Sequence, residues 1–166
     1  DTFLRYGNHP AFSLEFFHRA GAELGRRMVV FVAWREEKPV ASSICYRDDA
    51  ALYGRHWGAD IDCPGLHFEL CYYQGIDYAI TQGLQRFEPG AQGEHKLLRG
   101  FIPSPVWSLH EIADARFAGA IGGWLARERT RRRAWLRAAV RHLPFRPGEI
   151  LARLPDDVRD CMAAEN

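Results

Sequence analysis

A chain of 166 residues, 47% hydrophobic and 26% charged, has the length and composition of one globular domain. About 70% of the unfolded surface is buried at this size, so a core forms without disulfide or metal staples. The 22 basic and 21 acidic residues leave a net charge of +1, which excludes a global field toward nucleic acid or membrane. No run reaches the roughly 18 apolar residues that a membrane-spanning helix requires.

Cys45, Cys63, Cys71 and Cys161 show no CxxC spacing, and three lie in or beside apolar runs. They read as reduced thiols. With no secretory leader pattern in view, the expected compartment is the cytoplasm.

In chain order, Phe12, Phe16, Phe17, Ala20 and Leu24 recur at helical spacing between Pro10 and Gly25. Residues 28–34 form a β-branched apolar run, the pattern of a strand buried on both faces. A polar turn at 36–39 leads to a second strand over 40–46. Asp48-Asp49 turns the chain into a third over 51–57, giving an antiparallel meander. A loop from Gly58 to Gly65 precedes a helix over 67–83, with Phe68, Tyr72, Ile76, Ala79 and Ile80 on one stripe and Gly83 as terminator. Short strands follow over 84–88 and 97–102, separated by Gly90-Ala91-Gln92-Gly93-Glu94-His95-Lys96. A long helix over 116–142 ends before Pro144. The order predicts a mixed α/β (α+β) fold, a mostly antiparallel sheet flanked by helices, over residues 1–145 with a tail at 146–166.

Gly90, Ala91 and Gly93 leave backbone N–H groups that can approach a phosphate or an oxyanion closely. Lys96 adds a positive charge, and Glu94 and His95 are candidate proton acceptors. His67, Glu69 and Cys71 would share a face, and could hold a metal, only in an extended segment. At a helix start Glu69 lies in the first turn, as the dipole favours, and serves as base or orienting carboxylate. His56 and Trp57, at a strand end, read either as core or as a cleft wall. Tyr72 and Tyr73 are adjacent on a helix, so one packs inward and the other is available to a cleft.

Three blocks carry a resemblance: Leu52–Ala59, Leu66–Ile80 and Arg86–Phe101. Together they resemble the FemAB-like branch of the GNAT acyl-CoA N-acyltransferase superfamily, closest to the bacterial peptidoglycan biosynthesis or recognition proteins, over about residues 10–145. The resemblance implies a GNAT-like fold and transfer of an acyl or aminoacyl group to an amine, on a small molecule or a cell-wall precursor. The donor it implies is acyl-CoA or aminoacyl-tRNA, with no metal. Lys96 occupies the place of the family's lysine, and His95 stands where a tyrosine precedes it. The family's Ser-x-His-Trp reads Ser108-Leu109-His110-Glu111 here. The block Gly90, Ala91, Gln92, Gly93 is then the cofactor-binding turn, and His56, Trp57, His67 and Tyr72 line the substrate side. Starting at Asp1, the chain matches the C-terminal half of longer two-half members. These departures leave a second reading, a non-catalytic half-domain that recognises the acceptor or supports the full-length protein.

Arg127, Arg129, Arg131, Arg132, Arg133, Arg137 and Arg141 face a single opposing charge, Glu128. This helix is either a solvated face or a surface for phosphates of CoA, tRNA or anionic lipid, or it packs on a missing N-terminal half or a second copy.

Overall fold

The computed structural model describes residues 7, 9, 11–91 and 93–163. Pro10 and Gln92 lie outside these. The chain divides into two compact units, Asp1–Ala91 and Gln92–Asn166.

The first unit begins with helix α1 (Leu14–Leu24). Ser13 caps it by accepting from the Phe16 N–H at 3.2 Å, a bond of about 1 kcal/mol in such positions. Gly25, at φ 52°, ends it. The strands β1 (Met28–Arg35) and β2 (Lys38–Arg47) pair antiparallel, as do β2 and β3 (Ala51–Ala59). Glu36 and Glu37 alone join β1 to β2, at φ 48° and 64°. Two left-handed residues in a two-residue loop are the geometry that matches strand twist, but the side chains usually found there are Asn and Gly. Asp48 makes the second turn. Its Oδ1 accepts from the Ala50 and Ala51 N–H groups at 2.8 and 2.7 Å, and its Oδ2 accepts from the Tyr53 hydroxyl at 2.9 Å.

A short strand β4 (Arg86–Glu88) completes the sheet in the order β1-β2-β3-β4, parallel to β3. Its pairing with β3 runs from Ala51↔Arg86 to Tyr53↔Glu88 and stops there. The next residue is Pro89, which has no N–H to donate. Along its β4 side, β3 therefore runs on from Gly54 to Ala59 without a strand partner among the described residues.

Between β3 and β4 lies a helix in three parts: α2 (Leu66–Phe68), a π-helical turn over Glu69–Tyr73, and α3 (Gln74–Thr81). The π-turn corrects the expected stripe. One extra residue per turn rotates everything that follows. The buried positions are Leu70, Tyr72, Gly75 and Ala79, and Ile80 faces outward. Gly75 is required by packing: a Cβ there would lie 2.5 Å from the Phe87 ring on β4. On the same side, Tyr78 meets the Phe31 ring edge-on at 5.9 Å, and its hydroxyl accepts from Arg47 at 3.1 Å.

The second unit opens with a 3-10 helix over Glu94–Arg99, closed by Gly100 at φ 84°. A strand over 97–102 was expected from the apolar run, and the chain is helical instead. Gly100, at φ 84°, falls inside the expected strand and breaks the extended backbone, and Leu97 packs against helices rather than a sheet. An irregular stretch leads to Asp114, whose carboxylate caps α4 (Ala115–Val140) by accepting from the Arg116 and Phe117 N–H groups. Two short helices follow, α5 (Pro147–Arg153) and α6 (Asp156–Ala163). The residues after 145 supply two of the five buried residues of this unit's core cluster: Leu154 and Val158 pack with Leu136, Val140 and Leu143. Only the last third of α4 is buried there, at Leu136, Ala139 and Val140.

Candidate active site

The loop leaving β3 ends at Gly65, whose φ of 84° starts the helix. His67 lies in its first turn and meets three rings edge-on: Trp57 at 5.3 Å, Phe68 at 5.4 Å and Tyr72 at 5.5 Å. Trp57, His67 and Tyr72, all expected at the substrate side, are thus brought together. His56 is not. Successive strand residues point to opposite faces, and His56 turns to the far face, against Phe17 at 5.2 Å, Phe12 at 5.9 Å and Tyr46 at 6.2 Å. His56 and Trp57 therefore form no common wall. Burial, helped by the Arg55 charge, lowers the His56 pKa, which keeps the imidazole neutral near pH 7.

Glu69 starts the π-turn and is exposed. Gln74 Nε2 donates to its Oε1 at 2.8 Å. Residues five apart diverge on an α-helix, at 3.6 residues per turn. The wider π-turn returns them to one side. The pair exists because of the π-turn, and a 3.6-residue reading of the sequence had no signal for Gln74. The helical geometry also removes the extended arrangement in which His67, Glu69 and Cys71 would share a face. Among the described residues no group of three or more His, Cys, Asp or Glu is placed to hold a metal ion. Tyr72 is buried and Tyr73 exposed, as adjacency on a helix requires.

The glycine-rich segment is divided between the units. Gly90 and Ala91 close the first, with Gly90 at φ 86°. Gly93 opens the second at φ 98°, and the His95 ring folds back over it, since a Cβ there would lie 2.5 Å from the imidazole Cε1. Gln92 lies outside the described residues. Glu94, His95 and Lys96 sit on the 3-10 helix rather than in a turn. Glu94 accepts from the Trp135 indole at 3.4 Å, and Lys96 is half-buried. Trp107 is 71% exposed. His110 bonds Ser108 at 2.9 Å.

On the His56 face, α1 and the sheet enclose an open groove of about 680 Å³, lined by Phe12, Phe16, Arg19, Tyr46, Arg55 and His56. A bulge between Ile44 and Cys45 leaves Arg55 unopposed, which turns it into this groove beside His56. The groove lies on the sheet face opposite the π-turn and contains no other expected site residue.

A four-stranded mixed sheet flanked by helices, with a parallel pair at one edge and a helix leaving its neighbour, is consistent with a GNAT-like α+β fold. A family model named FemAB-like, described as peptidoglycan biosynthesis/recognition, matches residues 1–147, and the chain belongs to that family. No curated protein and no solved structure matches it.

Proposed function

We propose that the chain carries an N-acyltransferase site, moving an acyl or aminoacyl group from a CoA thioester or aminoacyl-tRNA to the amine of a cell-wall precursor. The Glu69–Gln74 pair on the π-turn, at the head of the helix that follows β3, carries this reading. It rests also on the family, whose members serve peptidoglycan biosynthesis or recognition. Ligands of α/β sheets gather at the carboxyl ends of parallel strands. Here β3 continues past its last pairing with β4, and that end of the strand is the proposed place for a ligand.

The amine attacks the donor carbonyl, a C–N bond forms, and the thiolate or the tRNA hydroxyl leaves. Glu69, oriented by the Gln74 amide, receives the proton the amine loses. Lys96, by its match to the family's lysine, is the residue proposed for the negative charge on the tetrahedral intermediate. Gly90 and Ala91, which close the unit that carries Glu69, are proposed to approach the donor phosphates. Such donors are made in the cytoplasm, the compartment proposed.

The test is calorimetry with acyl-CoA, and filter binding with aminoacyl-tRNA, followed by turnover of the variants. Glu69→Gln should lower turnover by about 10²–10⁴-fold. Lys96→Ala should lower it by about 10²–10³-fold with the fold intact. A chain that binds neither donor removes the reading. An unchanged rate in either variant removes that residue from the mechanism. A second reading, a non-catalytic module binding the acceptor alone, is favoured by His95 in place of tyrosine and by Glu111 in place of tryptophan. It predicts acceptor binding with no donor binding.

A further inference from the structure

No residue in the first two-thirds of α4 is fully buried among the described residues, yet this stretch is rich in large apolar side chains. Phe117, Trp124 and Trp135 are spaced by seven and eleven residues, about two and three turns, and so fall on one line along the helix. Phe117 is 60% and Trp124 50% exposed. By the same periodicity Arg116, Arg127 and Arg131 lie along one flank of this ridge. The helix holds seven arginines against one glutamate, Glu128, which is occupied by Arg132 at 2.7 Å. Just before α4, the irregular stretch presents Val106 at 89% and Leu109 at 100% exposure, on either side of Trp107.

We propose that this element is a peripheral binding surface for anionic phospholipid: the ridge enters the headgroup layer and the arginines contact the phosphates. Trp and Phe favour that layer, and arginine beside them pairs with lipid phosphate. Charge decides among the occupants. A second copy meeting this face isologously would set arginine row against arginine row, so self-association is disfavoured. Single-stranded nucleic acid would satisfy arginines and aromatics alike, because bases stack on flat rings. It offers little to Val106 and Leu109, which have no ring to stack and gain from transfer to an apolar layer such as the acyl-chain boundary. Among the described residues no helix is long and apolar enough to cross a membrane, so the element lies on the surface and does not span it.

The test uses the full chain with sedimented vesicles of phosphatidylcholine alone and of phosphatidylcholine with one-quarter phosphatidylglycerol. Partitioning onto the anionic vesicles should be at least about tenfold stronger and should weaken steeply in 0.5 M salt. Phe117→Ser/Trp124→Ser should reduce it about tenfold with the circular dichroism spectrum unchanged. Arg127→Gln/Arg131→Gln should shrink the difference between the two vesicles. Equal partitioning, or none, overturns the proposal. So does tighter binding to poly(U) than to the anionic vesicles, lost in the same variants, which assigns the ridge to nucleic acid. Acyl-CoA binding and turnover are read separately from partitioning, so this proposal and the acyltransferase reading fail separately.

Discussion

Replacing Gly75 by alanine pits two effects of known size against each other. On an exposed helix, Gly→Ala stabilises by about 1 kcal/mol, because glycine loses more backbone entropy on folding. At position 75 the new methyl carbon would stand 2.5 and 2.6 Å from two atoms of the Phe87 ring, well inside contact distance. The ring is held between α3 and β4, so relief requires moving the helix or the strand by about 1 Å. Overpacking of this kind costs about 1–3 kcal/mol, and the entropy gain of about 1 kcal/mol offsets part of it, so the net expectation is about 0–2 kcal/mol of destabilisation. Urea denaturation followed by circular dichroism measures it. A second variant isolates the cause: Phe87→Leu should lose stability alone, but Gly75→Ala/Phe87→Leu should lose less than the sum of the two. If Gly75→Ala gains the roughly 1 kcal/mol of an exposed helix site, the close approach of α3 to β4 is wrong. The shifted helical phase inferred from it fails with it.

The hairpin between β1 and β2 should gain from its preferred residues. Glu36→Asn/Glu37→Gly relieves two side chains held at positive φ and should stabilise by about 1 kcal/mol or more, read as a rise in Tm. Asp48 is held below its ordinary pKa chiefly by the backbone N–H of Ala50, then by that of Ala51 and by the Tyr53 hydroxyl. A depressed carboxylate contributes stability that is present above its unfolded value, near 3.8, and is lost as the pH falls through its lower folded value. Asp48→Asn should therefore lower Tm at pH 6 and flatten the fall of Tm below pH 4. An unchanged acid limb would refute the role of this turn.

The sheet was legible because its signals are local. The β-branched run at 28–34 and the Asp48-Asp49 turn each fix an element without help from distant residues, although β1 is an edge strand with Val30, Val32 and Trp34 exposed and is not buried on both faces as its pattern predicts. Burial over 67–83 was not, because the expected stripe assumed 3.6 residues per turn, and no residue type announces a π-turn. The apolar run at 97–102 misled for the opposite reason. Leu97 and Ile102 are apolar because they pack on the last third of α4 with α5 and α6, which are distant in sequence. Glu69 could be singled out from its place at a helix start. Its partner Gln74 could not, since their hydrogen bond depends on the turn between them. His56 and Trp57 were paired by adjacency, but adjacent strand residues lie on opposite faces of a sheet.

The π-turn also makes this helix sensitive to length in a way its neighbours are not. Removing one residue between Glu69 and Tyr73 would restore a regular α-helix and turn everything after it by about a quarter-circle relative to the first turn. Gln74 would swing away from Glu69, and the notch at Gly75 would no longer meet Phe87. The first loss would fall on the carboxylate and the second on the seat of the helix against β4. One inserted residue sets the phase of both, so the segment tolerates substitution at its exposed positions far better than it tolerates a single deletion.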